Sequence, residues 1–228
     1  MLNKYGVTAD ELERQLTTRG LQLITISFNG AADDPAQHKA VLARARDAMD
    51  FLHRFGADRL VVFSPKRGKS PEAFATMCRF YNQLGEAAAQ KGFKAGLHNH
   101  LGQMVQTPEE IDRCMEMTDP KLFSFAPDTA HLYLGGGDPA AIMNKYKSRL
   151  MMVDYKDAKR AALGANYIEN TFDLGAGEID FPACHRVLRD GRFNSWLCVD
   201  LDIARKGPRA SYEACDAYIV RTLEPIYA

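Results

Sequence analysis

The chain has 228 residues, of which 46% are hydrophobic and 25% are charged, the balance of an ordinary globular domain with one core. Its 29 basic and 29 acidic side chains cancel, so no net field gathers nucleic acid or an anionic membrane surface. No apolar run approaches the roughly 20 residues that span a bilayer, and the first residues lack the apolar stretch of a signal peptide. These features predict a cytoplasmic single domain over residues 1–228 that binds a small, weakly charged molecule.

Apolar runs alternate with amphipathic segments along the chain. A helix is expected over residues 8–18, because Thr8 and Glu11 match a capping box. Short runs rich in branched and aromatic residues then predict six buried parallel strands, at residues 21–27, 60–63, 93–97, 122–125, 150–153 and 196–199. The regular order of strand and helix demands a parallel sheet with right-handed crossovers, either doubly wound or closed into a barrel. No Gly-x-Gly-x-x-Gly follows the first strand, which disfavours the dinucleotide-binding alternative.

Helix boundaries are marked by local signals. Ser70-Pro71, Thr107-Pro108 and Asp138-Pro139 each place a capping side chain before a proline at the first helical position, where a missing N–H costs nothing. Thr107 also forms a capping box with Glu110. Left-handed backbone at helix ends is expected at four glycines, Gly20, Gly56, Gly92 and Gly191.

Polar side chains follow nearly every predicted strand. In chain order they are Ser27 and Asn29; Ser64 and Lys66; His98, Asn99 and His100; Asp128 and His131; Asp154, Lys156 and Asp157; Asp200 and Asp202. In a barrel these strand ends form one face, and that face carries the chemistry of barrel enzymes. Several carboxylates cannot share a partly dry cavity unless they are protonated or bound to a cation. Oxygen and imidazole ligands, in a chain without a Cys-x-x-Cys pair, favour Mn²⁺, Mg²⁺ or Co²⁺.

Each of these groups also has a structural interpretation when it is taken alone. His98 and His100 could form a hydrogen-bonded rim, and Asp128 could do no more than begin a helix. Lys156 and Asp157 could form a surface ion pair. Their expected convergence on one face favours a functional cluster.

Five motifs in order resemble the xylose-isomerase-like barrel superfamily, the sugar phosphate isomerase/epimerase group that includes inosose dehydratases. They lie at residues 96–100 with 106–110, 128–131 with 136–139, 153–157, 174–181 and 196–202. The resemblance implies an α/β fold of the TIM-type (β/α) barrel, in which eight strands are usual. Six βα units are recognisable here, so the barrel is expected to be truncated at its N-terminus.

The resemblance also implies a divalent metal held by a Glu, an Asp, a His and a Glu. The Asp ligand maps to Asp128, the His to Asp154 and the final Glu to Asp200, while the remaining Glu maps to His98 or Gln106. The ligand set is therefore altered.

The implied chemistry is proton abstraction next to the carbonyl of a keto-sugar or cyclitol. Expected catalytic residues are His100, Lys156 and His131, and expected substrate contacts are Asn99, Ser64 and Asp202. His100 or a carboxylate would take the proton. Lys156 could stabilise the developing oxyanion or protonate it, since a partly desolvated lysine beside a metal can have a lowered pKa. Isomerisation, epimerisation and dehydration share the first step, so all three outcomes stay open.

Two other functional classes are weighed against this enzyme. One is a non-catalytic, metal-degenerate subunit or sugar-binding module of the same fold. The other is a related apurinic-type nuclease, which the neutral chain without a basic stripe disfavours. Missing strands leave open sheet edges, so a homo-oligomer or a partner subunit is expected to cover the missing sector.

Overall fold

The wall of the fold consists of parallel strands whose carboxyl ends lie on one face. The structure is a computed structural model that describes residues 6–68 and 70–227. The strands are β1 (Ser27–Phe28), β2 (Arg59–Phe63), β3 (Lys94–His98), β4 (Phe123–Phe125), β5 (Met152–Tyr155), β6 (Asp157–Ala158), β7 (Thr171–Phe172) and β8 (Trp196–Val199). The α-helices are α1 (Ala9–Thr17), α2 (His38–Arg54), α3 (Pro71–Gln90), α4 (Pro108–Met117), α5 (Thr129–Leu134), α6 (Pro139–Lys145), α7 (Phe181–Asp190) and α8 (Pro208–Tyr218).

Six strands pair in parallel around the wall. β1 to β4 pair in sequence order, and β8 pairs with β5. Two isolated parallel bridges, Phe125 with Leu150 and Asp128 with Asp154, join β4 to β5. The predicted parallel α/β barrel is thereby confirmed.

The predicted strand count and the first strand need correction. β6 and β7 form a short antiparallel ribbon, so eight strands are present among the described residues instead of six. Strand pairing at the start of the wall covers only Ser27 and Phe28, and Leu21 is 58% exposed. A strand at the edge has one neighbour, so the residues before Ser27 find no second partner that would order them as a longer strand.

The predicted helix signals are reproduced at most positions. Thr8 caps α1, and Thr107 and Glu110 form both halves of the predicted capping box on α4. Gly20, Gly56 and Gly92 have the expected positive φ. Gly191 does not: its φ is −78°, and the left-handed residue is the next one, Arg192, with φ of 51°.

Close approach of strands brings the site residues together. A Cβ at Gly96 in β3 would lie 2.8 Å from the carbonyl carbon of Ser124 in β4 and 2.9 Å from the Met151 sulfur. Only glycine allows this spacing without displacing backbone. The apolar layers outside the wall are α2 to α4 on one side and α7 with α8 on the other, where Leu52, Leu84 and Leu188 are buried.

β1 and β8 are the open edges of the wall. Among residues 6–68 and 70–227, each pairs with one strand only, and Trp196 in β8 is 40% exposed. That a partner covers the gap between β1 and β8 stays a prediction. Light scattering at micromolar concentration tests it. No helix of the described chain is both long enough and apolar enough to cross a membrane.

Candidate active site

Two buried side chains and one partly buried side chain meet where β3, β4 and β5 end. His98 is the last residue of β3, Asp128 follows β4 as the N-cap of α5, and Asp154 lies in β5. Their nearest ligand atoms all lie within 4.8 Å of one another. His98 Nδ1 is 3.3 Å from Asp154 Oδ2. The parallel bridge between Asp128 and Asp154 fixes this proximity through the backbone.

Lys156 occupies the other half of the site. Its Nζ lies 3.1 Å from Asp128 Oδ2 and 2.7 Å from a carboxylate oxygen of both Asp200 and Asp202. The lysine side chain is 2% exposed and Asp128 is fully buried, whereas Asp200 is 45% exposed. One ammonium group is therefore shared by three carboxylates that follow two different strands.

The two aspartates of the cluster have opposite pKa shifts. Burial raises the pKa of Asp128, but the positive charge of Lys156 outweighs burial and the net pKa is lowered. For Asp154 burial dominates and the pKa is raised, although His98 opposes it. Burial lowers the pKa of His98, but the Asp154 carboxylate 3.3 Å from its Nδ1 outweighs burial, so that pKa is raised. Lys156 therefore neutralises the negative charge of Asp128, whereas the negative charge of Asp154 is poorly neutralised.

The expected lowered pKa of Lys156 is wrong. Burial does lower it, but the negative charge of Asp128, Asp200 and Asp202 raises it well above its ordinary value. Three carboxylates stabilise the ammonium more than desolvation penalises it. Lys156 therefore stays charged at neutral pH and acts as a fixed positive charge.

The backbone of Leu101 sets the protonation pattern of two histidines. His100 Nδ1 lies 2.7 Å from the Leu101 carbonyl oxygen, which only accepts, so Nδ1 carries the proton and donates it. The N–H of the same residue donates to His131 Nδ1 at 3.5 Å, so neutral His131 carries its proton on Nε2. The rings are 3.9 Å apart. His100 therefore presents a lone pair at Nε2, and His131 presents a donor.

His131 is a buried neutral imidazole. It is fully buried, and burial lowers its pKa well below the ordinary histidine value. Its Nε2 lies 3.9 Å from Asp128 Oδ2 and has no hydrogen-bond partner within the described chain. A buried donor without a partner is costly, which favours a bound molecule at that position.

Several predicted site residues lie near the cluster but bind other parts of the protein. The Gln106 side chain accepts from the Gly102 N–H at 2.8 Å, and Asn99 bonds both the N–H and the carbonyl of Asp128. Ser64 accepts from the Val105 N–H. Gln106 and Asp200 lie outside the three-residue donor set, so their ligand roles stay predictions. The contacts of Asn99 and Ser64 orient the site and leave their substrate roles equally untested.

Asp157 is buried, and its carboxylate holds a loop instead of forming the surface ion pair. It accepts from the N–H groups of Ala158, Gly175, Gly177 and Ile179 at 2.8 to 3.2 Å. A Cβ at Gly177 would collide with this carboxylate. The loop after β7 is therefore anchored next to Lys156.

The donor set fits a divalent cation. Two carboxylates and one imidazole converge there, and the attraction of His98 does not offset the effect of burial on Asp154. Oxygen and imidazole ligands suit a divalent ion. The one thiol beside the cluster, Cys198 next to Asp154, stays protonated because burial and the nearby aspartates raise its pKa to about 12. His98, Asp128 and Asp154 are the residues that would hold it.

Sequence patterns did not single out two residues at this face. The Tyr167 ring packs edge-on against His100 and His131, with centroids 5.3 and 5.0 Å apart. Arg205 binds backbone carbonyls in the turn that carries Tyr167. Both lie in polar loops with no periodicity or motif, so no local signal marks them.

Comparison with known sequences assigns the family. The profile of the xylose isomerase-like TIM barrel matches residues 2–218. The chain belongs to this family. It is 31% identical over 229 residues to the inosose dehydratase of Clostridium beijerinckii, covering 88% of this chain and 76% of the relative. The inosose dehydratase of Bacillus velezensis is also 31% identical, over 84% of this chain and 72% of the relative. The predicted resemblance is confirmed.

Solved structures show the same barrel. The IolI protein, solved with a bound zinc atom, aligns with a TM-score of 0.81 and 16% identity, covering 99% of this chain and 85% of that one. The 3-keto-D-glucoside 4-epimerase YcjR from E. coli aligns with a TM-score of 0.75 and 18% identity, over 93% of this chain and 84% of that one. With named enzymes as its relatives at 31% identity, the chain is an enzyme of this family.

Proposed function

We propose that this enzyme removes a proton next to the carbonyl of a ketocyclitol or keto-sugar, with dehydration of a ketocyclitol as its outcome. The observation that carries the proposal is the pairing of a histidine lone pair with a buried donor set. His100 Nε2 is free to accept a proton because Leu101 occupies Nδ1, and His98, Asp128 and Asp154 lie on the adjacent strands. The inosose dehydratases at 31% identity support dehydration over the other outcomes.

The chain's own residues divide the work. His100 Nε2 takes the proton from the carbon beside the carbonyl, and the charge that develops on the carbonyl oxygen is stabilised by nearby positive charge and donors. Lys156 supplies the fixed charge, and His131 Nε2–H is a donor without a partner in the described chain. A divalent ion on His98, Asp128 and Asp154 would polarise the carbonyl and stabilise the negative charge.

Dehydration completes the step when the C–O bond beside the new carbanion breaks. The leaving hydroxyl needs a proton, and His100 carries one after the first step, so water leaves and the electron pair forms the double bond. Reprotonation of carbon instead would give isomerisation or epimerisation. The shared first step makes proton exchange a test that does not depend on the outcome.

The test is exchange of the substrate α-proton in D₂O, followed by NMR on an inosose and on keto-sugars. His100→Asn should lower the exchange rate by about 10² to 10⁴. His53→Gln, on the exposed face of α2, is the control and should leave it unchanged. Loss of one water from the inosose, seen by mass spectrometry, identifies dehydration. Exchange that survives in His100→Asn would rule out His100 as the base.

The choice among Mn²⁺, Mg²⁺ and Co²⁺ belongs to the same proposal. At 100 times its dissociation constant, the ion that fits should stabilise the folded chain by about 2.7 kcal/mol. Asp128→Asn should abolish the increase in melting temperature. No thermal response to any of these ions would remove metal from the proposal and leave proton abstraction to the chain alone.

A further inference from the structure

The loop between β6 and β7, residues 159–170, reaches the face that carries the candidate site. We call it the cover segment. Its Tyr167 lies in a single 3₁₀ turn, Tyr167–Asn170, and the ring packs edge-on to His100 and His131 at 83° and 65°. The tyrosine therefore forms a wall of the site beside both groups that the proposed reaction uses.

The Tyr167 hydroxyl has no hydrogen-bond partner among residues 6–68 and 70–227. Its pKa is raised, first by partial burial and then by the negative charge of Asp202, against the opposing charge of Lys156. Tyr167 is thus within electrostatic range of Asp202 and Lys156 as well as in ring contact with His100 and His131. A free hydroxyl on such a wall suits a ligand that carries hydroxyl groups.

Arg205 binds the backbone of the cover segment. This residue follows β8, in the loop that also carries Asp202. Its guanidinium donates to the carbonyls of Thr171, Ile168 and Glu169 at 3.1, 3.2 and 2.7 Å. It also stacks on the Phe172 ring at 4.6 Å. The planar fork of arginine can bind three carbonyls at once, which the single ammonium of lysine does less well.

We infer that Tyr167 is a substrate-contacting residue that hydrogen-bonds a hydroxyl of the polyol substrate, and that Arg205 is its positioning residue. The inference rests on the proposed function for the class of substrate. Within residues 6–68 and 70–227, no hydrogen bond or ring contact joins Tyr167 to the three candidate metal ligands, so its contribution is to binding and orientation. Arg205 acts through the turn that carries Tyr167.

The first experiment compares the wild-type enzyme with Tyr167→Phe, which keeps the ring and removes only the hydroxyl. KM for the turned-over ketocyclitol or keto-sugar should rise by about five- to tenfold, the effect of one neutral hydrogen bond, with kcat changed by less than about twofold. Tyr227→Phe is the matched control, because that tyrosine is 52% exposed and lies on the C-terminal turn. The thermal response to the divalent ion should be equal in all three proteins.

The second experiment tests Arg205 through a double-mutant cycle. Arg205→Met should raise KM, and Arg205→Lys should restore part of the loss. If Arg205 acts through Tyr167, the double variant with Tyr167→Phe raises KM no more than the larger single change. Effects that multiply would overturn the positioning role and leave Arg205 as a structural residue.

Binding of inositol, a polyol without the reacting carbonyl, separates this inference from the proposed function. Calorimetry on wild type and Tyr167→Phe measures affinity without turnover. Weaker binding of inositol by Tyr167→Phe supports the inference, even if the wild-type enzyme converts no inosose or keto-sugar. Absence of conversion would contradict only the proposed function. Equal KM and equal affinity in the two proteins overturn the inference, and so does a wild type that binds neither inositol nor any substrate.

Discussion

Asp128 and Asp154 are the same residue type at the ends of adjacent strands and are bridged to each other, yet their pKa values shift in opposite directions. Asp128 lies 3.1 Å from Lys156 Nζ and its pKa is lowered. Asp154 lies 3.3 Å from His98, but burial outweighs the attraction of His98, so its pKa is raised. Burial alone would raise both. The charge next to each carboxylate therefore decides whether its pKa is lowered or raised. The negative charge beside His98 is the less well compensated, so a bound cation would stabilise that part of the site.

The largest effect is expected for Lys156→Met, which keeps the length and volume of the side chain but removes its charge. Asp128 would then be buried without its cation, so stability without divalent ions should fall by about 3–5 kcal/mol. Urea unfolding in the presence of a chelator measures it. Lys145→Met removes a surface ion pair to Asp112 and should cost less than about 1 kcal/mol. Similar losses in the two variants would contradict the view that Lys156 compensates a buried charge.

A paired substitution compares the two aspartates directly. Asp128→Asn should cost about 2–3 kcal/mol, because the ion pair with Lys156 is lost and the lysine stays buried, while asparagine still caps α5. Asp154→Asn should stay within about 1 kcal/mol of wild type without divalent ions, since burial already disfavours its charge. Chemical unfolding of both variants under the same conditions gives the contrast. A larger loss for Asp154→Asn would reverse the comparison.

Replacing the poorly neutralised carboxylate by imidazole sharpens the metal half of the argument. Asp154→His restores the residue that the family places at this position and should shift preference from Mg²⁺ toward Co²⁺ by about tenfold, because imidazole favours the softer ion. Melting temperatures titrated with each ion report the two affinities. Asp112→His, in a surface position on α4, is the control and should change neither. An unaltered ratio in Asp154→His would exclude position 154 from the ligand set.

The smallest expected effect concerns a carboxylate outside the cluster. Burial raises the pKa of Glu110, but the hydrogen bonds from Arg67 and from backbone N–H groups prevail and the net pKa is lowered. A lowered pKa stabilises the fold above about pH 4.3, the unfolded value, and this stability is lost as the pH falls through the folded value. Glu110→Gln keeps the capping box, so it should lower the free energy of unfolding by less than about 1 kcal/mol at pH 7. This loss relative to wild type should approach zero at pH 3. Urea unfolding at both pH values measures this change. A difference that grows as the pH falls would contradict the assignment.

Local signals in the sequence determined the order of strands and helices. The Thr107 and Glu110 box, the proline helix starts and the apolar runs act within a few residues, so they are legible without tertiary context. The clustering of His98, Asp128 and Asp154 also followed from the sequence, because residues at the carboxyl ends of parallel strands share a face.

Tertiary structure decided what those residues are able to do. Lys156 meets Asp128, Asp200 and Asp202 across 28 to 46 positions of sequence, and only that convergence turns an expected lowered pKa into a raised one. The tautomers of His100 and His131 depend on the backbone carbonyl and N–H of Leu101. Tyr167 contacts His100 and His131 from a turn whose carbonyls are bound by Arg205 of another loop. Electrostatic and hydrogen-bonding states depend on distance in space, which sequence separation does not encode.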